Sequence, residues 1–100
     1  EKATKYATEI PFKVMETAFQ SMEVAQAMLK DGMESSLSDA AVGILCAKTA
    51  VTGAYFNVKI NAKDIKDRKF SENLLTKGEA IYQKTVAIEQ ATIALINSKL

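Results

Sequence analysis

Residues 40–60 read AAVGILCAKTAVTGAYFNVKI, and only Lys48 and Lys59 carry charge within this stretch. A segment of this length with so few polar residues is typical of a helix that is apolar on nearly every side. Such a helix needs neighbours around it, so we expect it to be the central and most buried element. We place it at about residues 39–60 of an all-α, multihelical bundle of long helices.

Two amphipathic helices are predicted on either side of this central helix. The first covers residues 11–30, where apolar side chains recur at steps of three and four; they are Met15, Ala18, Met22, Ala25 and Leu29. The second covers residues 68–98 and repeats this spacing, with Gly78 in the stripe; its apolar members are Phe70, Leu74, Ile81, Ile88 and Leu95, with Thr85 and Thr92 between them. No sheet is indicated.

The predicted helix ends follow from local signals. Pro11 indicates either the first turn of its helix or a kink in a longer one. Gly32 suits a C′ position, and residues 33–37 are expected to form a short loop. Ser38 then serves as N-cap with Asp39 in the first turn. Residues 61–67 are expected to connect to the last helix, with Asp67 as its N-cap.

Composition limits the possible functions. One hundred residues form one domain at most, and a net charge of +1 gives no electrostatic argument for nucleic acid or an anionic membrane. Histidine is absent, which removes imidazole catalysis and histidine metal sites, and we expect no metal. The lone Cys46 is typical of a reducing compartment, here the cytoplasm. The chain opens on Glu1 with neither an apolar leader nor an initiator methionine, so we interpret it as a mature piece or, in preference, as a segment of a longer protein.

Three polar side chains of the apolar helix need partners. Asn57 and Asn61 are four residues apart and therefore share a helix face. They either bind a polar ligand or satisfy other helices, with capping by Asn61 as a further alternative. Lys48 lies near the middle of the helix, where it extends to solvent, pairs with an acid or lines a polar cavity. Its charge disfavours a membrane span.

Several motifs resemble the C-terminal domain of the formiminotransferase-cyclodeaminase family, over essentially the whole chain. They are Ser38 to Gly43, Ala47, Gly53 to Asn61, Glu9-Ile10-Pro11, Asp64 to Asp67 and Phe70. The family's domain is about twice as long, and its first half carries a Pro-Gly-Gly-Gly stretch that this chain lacks. The resemblance therefore implies that residues 1–100 are the C-terminal half of such a domain.

The resemblance also implies an all-helical, dimer-forming fold and a tetrahydrofolate derivative as substrate, with no permanently bound cofactor. Cyclodeaminases convert 5-formimidoyltetrahydrofolate to 5,10-methenyltetrahydrofolate and ammonia, whereas the related cyclohydrolases hydrate the methenyl bridge. We expect the cyclodeaminase, as a homodimer or larger homo-oligomer, with a formiminotransferase fused or associated. A non-catalytic helical dimerisation scaffold is the alternative from another class.

By the same resemblance Asp39 is the candidate catalytic group, as a base or a contact to the pterin ring. Its other interpretation is favourable placement at a helix N-terminus. Ser38, Lys48, Asn57 and Asn61 are the candidate substrate-binding residues. Ser38 is alternatively an N-cap alone, and the N-terminus of this helix is expected to attract the glutamate carboxylate of a folate.

Overall fold

The computed structural model of the chain describes residues 1–31 and 34–99, and this part is built from three long helices. These are α1 (Lys2–Asp31), α2 (Glu34–Ala62) and α3 (Arg68–Ser98). They lie side by side in a bundle of 50 × 17 × 16 Å. The predicted all-α class is confirmed for the described residues.

Helix α1 is longer than the predicted 11–30 segment because it runs through Pro11. The alternative of a longer helix with an internal proline is therefore correct. Proline lacks the N–H that would bond to the carbonyl of Ala7, one turn earlier. That carbonyl instead accepts a hydrogen bond from α2, which offsets part of the cost. The predicted C′ role of Gly32 lies outside the described residues.

Helix α2 begins at Glu34, which corrects two predictions. Residues 34–37 are helical rather than a loop, and Ser38 and Asp39 lie inside the helix rather than at its start. Leu37 explains the extension, since it is buried beside Leu29 and Met22. Burying that side chain stabilises by about 1.5–3 kcal/mol, more than the few tenths of a kcal/mol that a serine costs inside a helix.

The core forms two clusters along the bundle. The first joins Met15 of α1 to the α2 residues Val51, Ala54, Tyr55 and Val58. The second joins Met22 and Leu29 of α1 to Leu37, Ala40 and Ile44 of α2. The predicted stripe of α1 is thus confirmed, and α2 contributes to both clusters. Buried Thr85 and Thr92 of α3 return their hydroxyls to the carbonyls of Tyr82 and Ile88, both at 2.7 Å.

The start of α1 is fastened to the turn between α2 and α3. Asp67 is the N-cap of α3, as predicted, and its Oδ1 accepts a bond from Phe70 N at 3.2 Å. Lys5 Nζ lies 2.9 Å from the other oxygen, Asp67 Oδ2. The Glu1 carboxylate accepts bonds from the backbone N–H groups of Lys66 and Asp67 at 2.9 and 2.8 Å. These bonds hold the N-terminal end of α1 against the N-terminal end of α3.

The expectation that α2 is the most buried helix is confirmed for the described residues, because it contributes most of the buried apolar side chains, but its outer face is exposed. Val42, Phe56 and Ile60 are all more than half exposed. From Leu37 to Ala62 the helix is long and apolar enough to cross a membrane, with a third of it buried here. The core helix of a soluble protein meets the same two criteria, so they carry little weight. The apolar outer face nevertheless needs a physical explanation.

Candidate functional site

A groove between α1 and α2 contains the two asparagines that the sequence singled out. Its volume is about 460 Å³. The α1 side is lined by Ala7, Ile10, Pro11 and Val14, and the α2 side by Ala50, Ala54, Asn57 and Asn61. The two amides are therefore brought together, as their spacing predicted. They stand above walls that are otherwise apolar, which suits a flat ring with a hydrogen-bonding edge.

Asn61 already has a structural partner at one end of this groove. Its Nδ2 donates to the carbonyl oxygen of Ala7 at 3.2 Å. This is the carbonyl that Pro11 leaves without its usual helical donor. The predicted capping by the Asn61 side chain is therefore wrong, because its amide bonds to α1 rather than to the end of α2. The alternative of an amide that satisfies a neighbouring helix is correct.

Asn57 is the exposed amide of the groove. It lies one turn before Asn61, lines the same groove and is exposed to solvent. Within the described part of the chain its side chain makes no hydrogen bond to protein. Its carbonyl can therefore accept a hydrogen bond from a ligand, and its amino group can donate one.

Lys48 points away from the groove, towards α3. Its Nζ lies 3.6 Å from Glu89 Oε1, and the two side chains are 23% and 26% exposed. Of the three alternatives for this lysine, pairing with an acid is the one observed. Asn57 lies nine residues later, which is two and a half helical turns and so the opposite side of α2. The structure does not bring Lys48 to the asparagines.

Ser38 and Asp39 lie at the other end of α2. Ser38 lines a cleft of about 310 Å³ between α2 and α3, with Thr92 and Asn97 on the far wall. Asp39 is exposed. Because α2 begins at Glu34, the free N–H groups of its first turn lie before Ser38. The expected carboxylate site at Ser38 and Asp39 therefore lacks its helix N-terminus.

The candidate residues do not form one site within a single chain. Asp39 and Asn57 are separated by 18 residues of α2, which corresponds to ~27 Å at 1.5 Å per residue. The same separation equals five full turns, so both residues lie on the same side of the helix. They share the exposed outer face, at opposite ends.

Comparisons with known proteins identify the family to which the chain belongs. A family model described as "Formiminotransferase-cyclodeaminase" matches residues 1–80, which include α1, α2 and the first part of α3. The chain belongs to the formiminotransferase-cyclodeaminase family. Its groove residues Asn57 and Asn61 both lie inside the matched region.

Two kinds of curated relative in this family are similar to the chain. Methenyltetrahydrofolate cyclohydrolase of Methylorubrum extorquens is 28% identical over 100 residues, which are all of this chain and 48% of that protein. Formimidoyltransferase-cyclodeaminase of Rattus norvegicus is 35% identical over 95 residues, which are 95% of this chain and 17% of that protein. The mouse protein gives the same identity and coverage. The chain thus spans about half of the cyclohydrolase and a smaller share of the cyclodeaminases.

This member of the formiminotransferase-cyclodeaminase family also has a polar cluster that the sequence analysis missed. Tyr55 is only 4% exposed, and its hydroxyl lies 3.0 Å from Glu79 Oε1 and 3.3 Å from the carbonyl oxygen of Leu75. Lys59 Nζ lies 4.3 Å from the centre of the Tyr55 ring. Gln83 donates to the other Glu79 oxygen at 2.7 Å. The cluster joins α2 to α3.

The ionisation of this cluster follows from its contacts. Burial, and then the hydrogen bond to Glu79, raise the pKa of Tyr55 to about 12. The bonds from Gln83 and Tyr55 hold the pKa of Glu79 below its usual value. Near neutral pH the pair is thus a neutral phenol that donates to a carboxylate, which is a structural arrangement rather than a proton relay. Gly78 lies among larger side chains in the stripe of α3. It was the one feature of the sequence that indicated a close approach of α2 to α3 here.

Proposed function

We propose that the chain is part of a formimidoyltetrahydrofolate cyclodeaminase, an enzyme of folate one-carbon metabolism in the cytoplasm. The observation that carries this proposal is the 35% identity to rat formimidoyltransferase-cyclodeaminase over 95% of the chain. The substrate is 5-formimidoyltetrahydrofolate, and the products are 5,10-methenyltetrahydrofolate and ammonia. The name of that relative also supports a formiminotransferase that is fused to or associated with the whole protein.

The reaction needs orientation and proton transfer. N10 of the folate attacks the formimino carbon, the N10 proton leaves, and the formimino nitrogen departs as ammonia after protonation. Both reacting groups belong to one substrate, so a pocket that holds them in line lowers the barrier without a second reactant. A positioned acid–base side chain contributes roughly 100- to 10,000-fold more. By its resemblance to the family, Asp39 is our candidate for that group among the carboxylates, lysines and tyrosines of a chain without histidine. It lies ~27 Å from Asn57 along α2, so the two residues cannot act at one reacting centre within a single chain.

The groove between α1 and α2 supports the binding part of the proposal. Ile10 and Val14 supply an apolar wall, and Asn57 supplies a donor and an acceptor beside it. A pterin is a flat ring with both kinds of hydrogen-bonding group along its edge, so the groove matches it in chemistry. We assign Asn57 to the pterin edge, whereas Asn61 holds α1 in place beneath it.

Methenyltetrahydrofolate cyclohydrolase is the second candidate function. The cyclohydrolase of M. extorquens is 28% identical over the whole chain. In that activity water adds to the methenyl bridge, and 10-formyltetrahydrofolate is released. A non-catalytic dimerisation scaffold is the third candidate, and the exposed apolar face of α2 is the feature that favours it.

The experiment is an absorbance assay of the methenyl chromophore with the intact protein. Growth of the chromophore from 5-formimidoyltetrahydrofolate, with release of ammonia, is expected for the cyclodeaminase. Faster loss of the chromophore from 5,10-methenyltetrahydrofolate would indicate the cyclohydrolase instead. If neither rate exceeds the uncatalysed rate and no folate binds, the non-catalytic dimerisation scaffold would be the remaining candidate.

A pair of variants then tests the groove. N57A is expected to raise the KM for the folate at least tenfold, the effect of about 1.4 kcal/mol of binding free energy. N73A makes the same chemical change at an exposed position of α3, outside the groove, and is expected to leave the KM unchanged. Equal KM values for N57A and the wild type would remove Asn57 from the proposed site.

A further inference from the structure

The side chain of Asn61 uses only one of its two polar atoms within the chain. Its Nδ2 donates to the carbonyl oxygen of Ala7 at 3.2 Å. Among residues 1–31 and 34–99, no protein group donates a hydrogen bond to its Oδ1. Asn61 is half-buried and lines the groove between α1 and α2 together with Asn57. It therefore still offers an acceptor to a molecule in the groove.

The hydrogen bond to Ala7 also fixes which way the Asn61 amide faces. A side-chain amide turned by half a rotation has almost the same shape, so its hydrogen bonds decide its orientation. A backbone carbonyl can only accept, so Nδ2 is the atom of Asn61 that faces Ala7. Oδ1 is the atom that remains for a ligand. Asn57 makes no hydrogen bond to the described part of the protein, and its amide has no such preference.

Pro11 makes the Ala7 carbonyl available for this bond. It lies inside α1, where a proline destabilises a helix because it removes the N–H that would bond to the carbonyl four residues earlier. That carbonyl belongs to Ala7, and Asn61 takes the place of the missing donor. An alanine at position 11 would bond to Ala7 from within α1 and leave Asn61 free to turn. Pro11 therefore orients Asn61 through Ala7.

The two asparagines match one edge of a pterin in order and in spacing. That edge carries the 4-oxo acceptor, the N3–H donor and the 2-amino donor in sequence, so it needs one donor and two acceptors from a protein. Asn57 can donate to the oxo group and accept from N3–H, but it has one oxygen only. Asn61 lies one turn further along α2, a rise of ~6 Å, which is comparable to the width of the pyrimidine ring with its substituents.

We propose that Asn61 Oδ1 accepts a hydrogen bond from the 2-amino group of the pterin, an assignment that rests on the proposed function. Pro11 is the positioning residue that directs this oxygen to the ligand. Asn61 thus has two roles, since one atom of its amide holds α1 and the other reads the substrate. The groove selects for pterins with an amino group at this position, and the proline inside α1 gains an explanation in binding.

A ligand that lacks only the 2-amino group tests this bond. The intact protein is titrated with tetrahydrofolate and with its 2-desamino-2-methyl analogue, neither of which carries a one-carbon group that could react. The ratio of the two Kd values measures how strongly the protein reads the amino group. The wild type is expected to bind tetrahydrofolate at least about tenfold more tightly than the analogue. In N61A the ratio is expected to fall close to one.

The Kd ratio separates substrate binding from a purely structural role of Asn61. If Asn61 only holds α1 in place, N61A weakens both ligands by the same factor, and a ratio unchanged from the wild type would overturn the proposal. P11A/N61A restores the bond to Ala7 within α1, so a ratio near one in this double variant shows that lost stability is not the cause. N73A, at an exposed position of α3 outside the groove, is expected to leave both Kd values unchanged.

P11A tests the positioning role, with stability as the second measurement. Its free energy of unfolding should rise, because α1 regains a backbone hydrogen bond. Its Kd ratio should nevertheless fall about threefold, since the ligand must now immobilise the Asn61 amide, and the KM should rise while kcat stays constant. A P11A protein that is more stable and keeps the wild-type ratio would overturn the role of Pro11.

Failure of this assignment is distinguishable from failure of the proposed function. A wild-type protein that is active in the chromophore assay, yet binds tetrahydrofolate no better than the analogue, would overturn the role of Asn61 and leave the function intact. A wild-type protein that binds neither ligand and shows no activity would remove the proposed function, and the role of Asn61 with it.

Discussion

The ring of Tyr55 occupies the space where a side chain at Gly78 would begin. A Cβ at position 78 would lie 2.8 Å from Cε1 of Tyr55, closer than carbon atoms approach without displacement. The ring is held by the bonds of its hydroxyl to Glu79 and Leu75 and by its contact with Tyr82, at 5.8 Å between ring centres. Tyr55 therefore has little freedom to withdraw.

We predict that G78A lowers the free energy of unfolding. Overpacking costs about 1–3 kcal/mol, and the gain in helix propensity offsets about 1 kcal/mol of it. Urea denaturation measures the net change. The control is A80G, at an exposed position two residues away, which reports the propensity difference alone as a loss of about 1 kcal/mol. A G78A variant more stable than the wild type would show that the Tyr55 ring moves freely.

The hydroxyl of Tyr55 gives the fold a dependence on alkaline pH. An unfolded tyrosine ionises near pH 10, whereas the folded pKa is about 12. Because the folded pKa is the higher one, the unfolded chain releases its proton first as the pH rises. The stability of the wild type relative to Y55F should be complete below pH 10 and disappear between pH 10 and about 12. Urea denaturation across this range checks it, with Y6F, a change to an exposed tyrosine, as the control.

Much of the fold follows from local patterns. The helical class, the stripes of α1 and α3 and the N-cap at Asp67 depend on spacing and on short-range hydrogen bonds, which a sequence displays directly. The start of α2 does not follow from local patterns, because capping by Ser38 and Asp39 stabilises the helix less than the burial of Leu37 beside Leu29 does. That contact joins two helices, and nothing near Ser38 in the sequence reports it.

The hydrogen bond from Asn61 to Ala7 is a second contact of this kind, and it gives a double-mutant prediction. In the wild type, N61A leaves the Ala7 carbonyl without a donor and should cost about 1 kcal/mol. In a P11A background the restored N–H at position 11 bonds to Ala7, so N61A should cost less. We expect a coupling of about 0.5–1 kcal/mol in the cycle. N57A in both backgrounds is the control, and its effects should add.

Acid titration should reveal the contribution of the ion pair between Lys5 of α1 and Asp67, the N-cap of α3, to the stability of the fold. The bond from Lys5, and next the Phe70 N–H, lower the pKa of Asp67. Because the pKa of Asp67 is lower in the folded chain than in the unfolded chain, its ionised carboxylate stabilises the fold. This stabilisation is complete above the unfolded pKa of about 3.9 and is lost as the pH falls through the folded pKa. D67N keeps a capping side chain but does not titrate. Its deficit relative to the wild type should shrink on acidification and in high salt; a deficit independent of pH would contradict the assignment.

The candidate site was less predictable than the fold, for a geometric reason. The spacing of Asn57 and Asn61 placed them on one face, and they do line one groove. Asp39 shares that helix face too, but the helix predicted over residues 39–60 already places it five turns from Asn57, and only the family resemblance grouped the two residues in one site. The partner of Lys48, Glu89, lies 41 residues away on another helix, and no periodicity links the two positions.

The pair of Lys48 and Glu89 gives the last prediction. Nζ and Oε1 are 3.6 Å apart and both side chains remain partly exposed, so the pair is worth about 1 kcal/mol at most. K48M keeps the apolar stem of the lysine, and E89Q keeps the shape of the glutamate. Both should lower the free energy of unfolding slightly and by similar amounts, with the double variant no worse than either alone. Because Lys48 faces α3, on the side of α2 opposite Asn57, neither change should alter the KM for the folate. A KM that rises in K48M but not in E89Q would assign the ammonium group to the substrate instead.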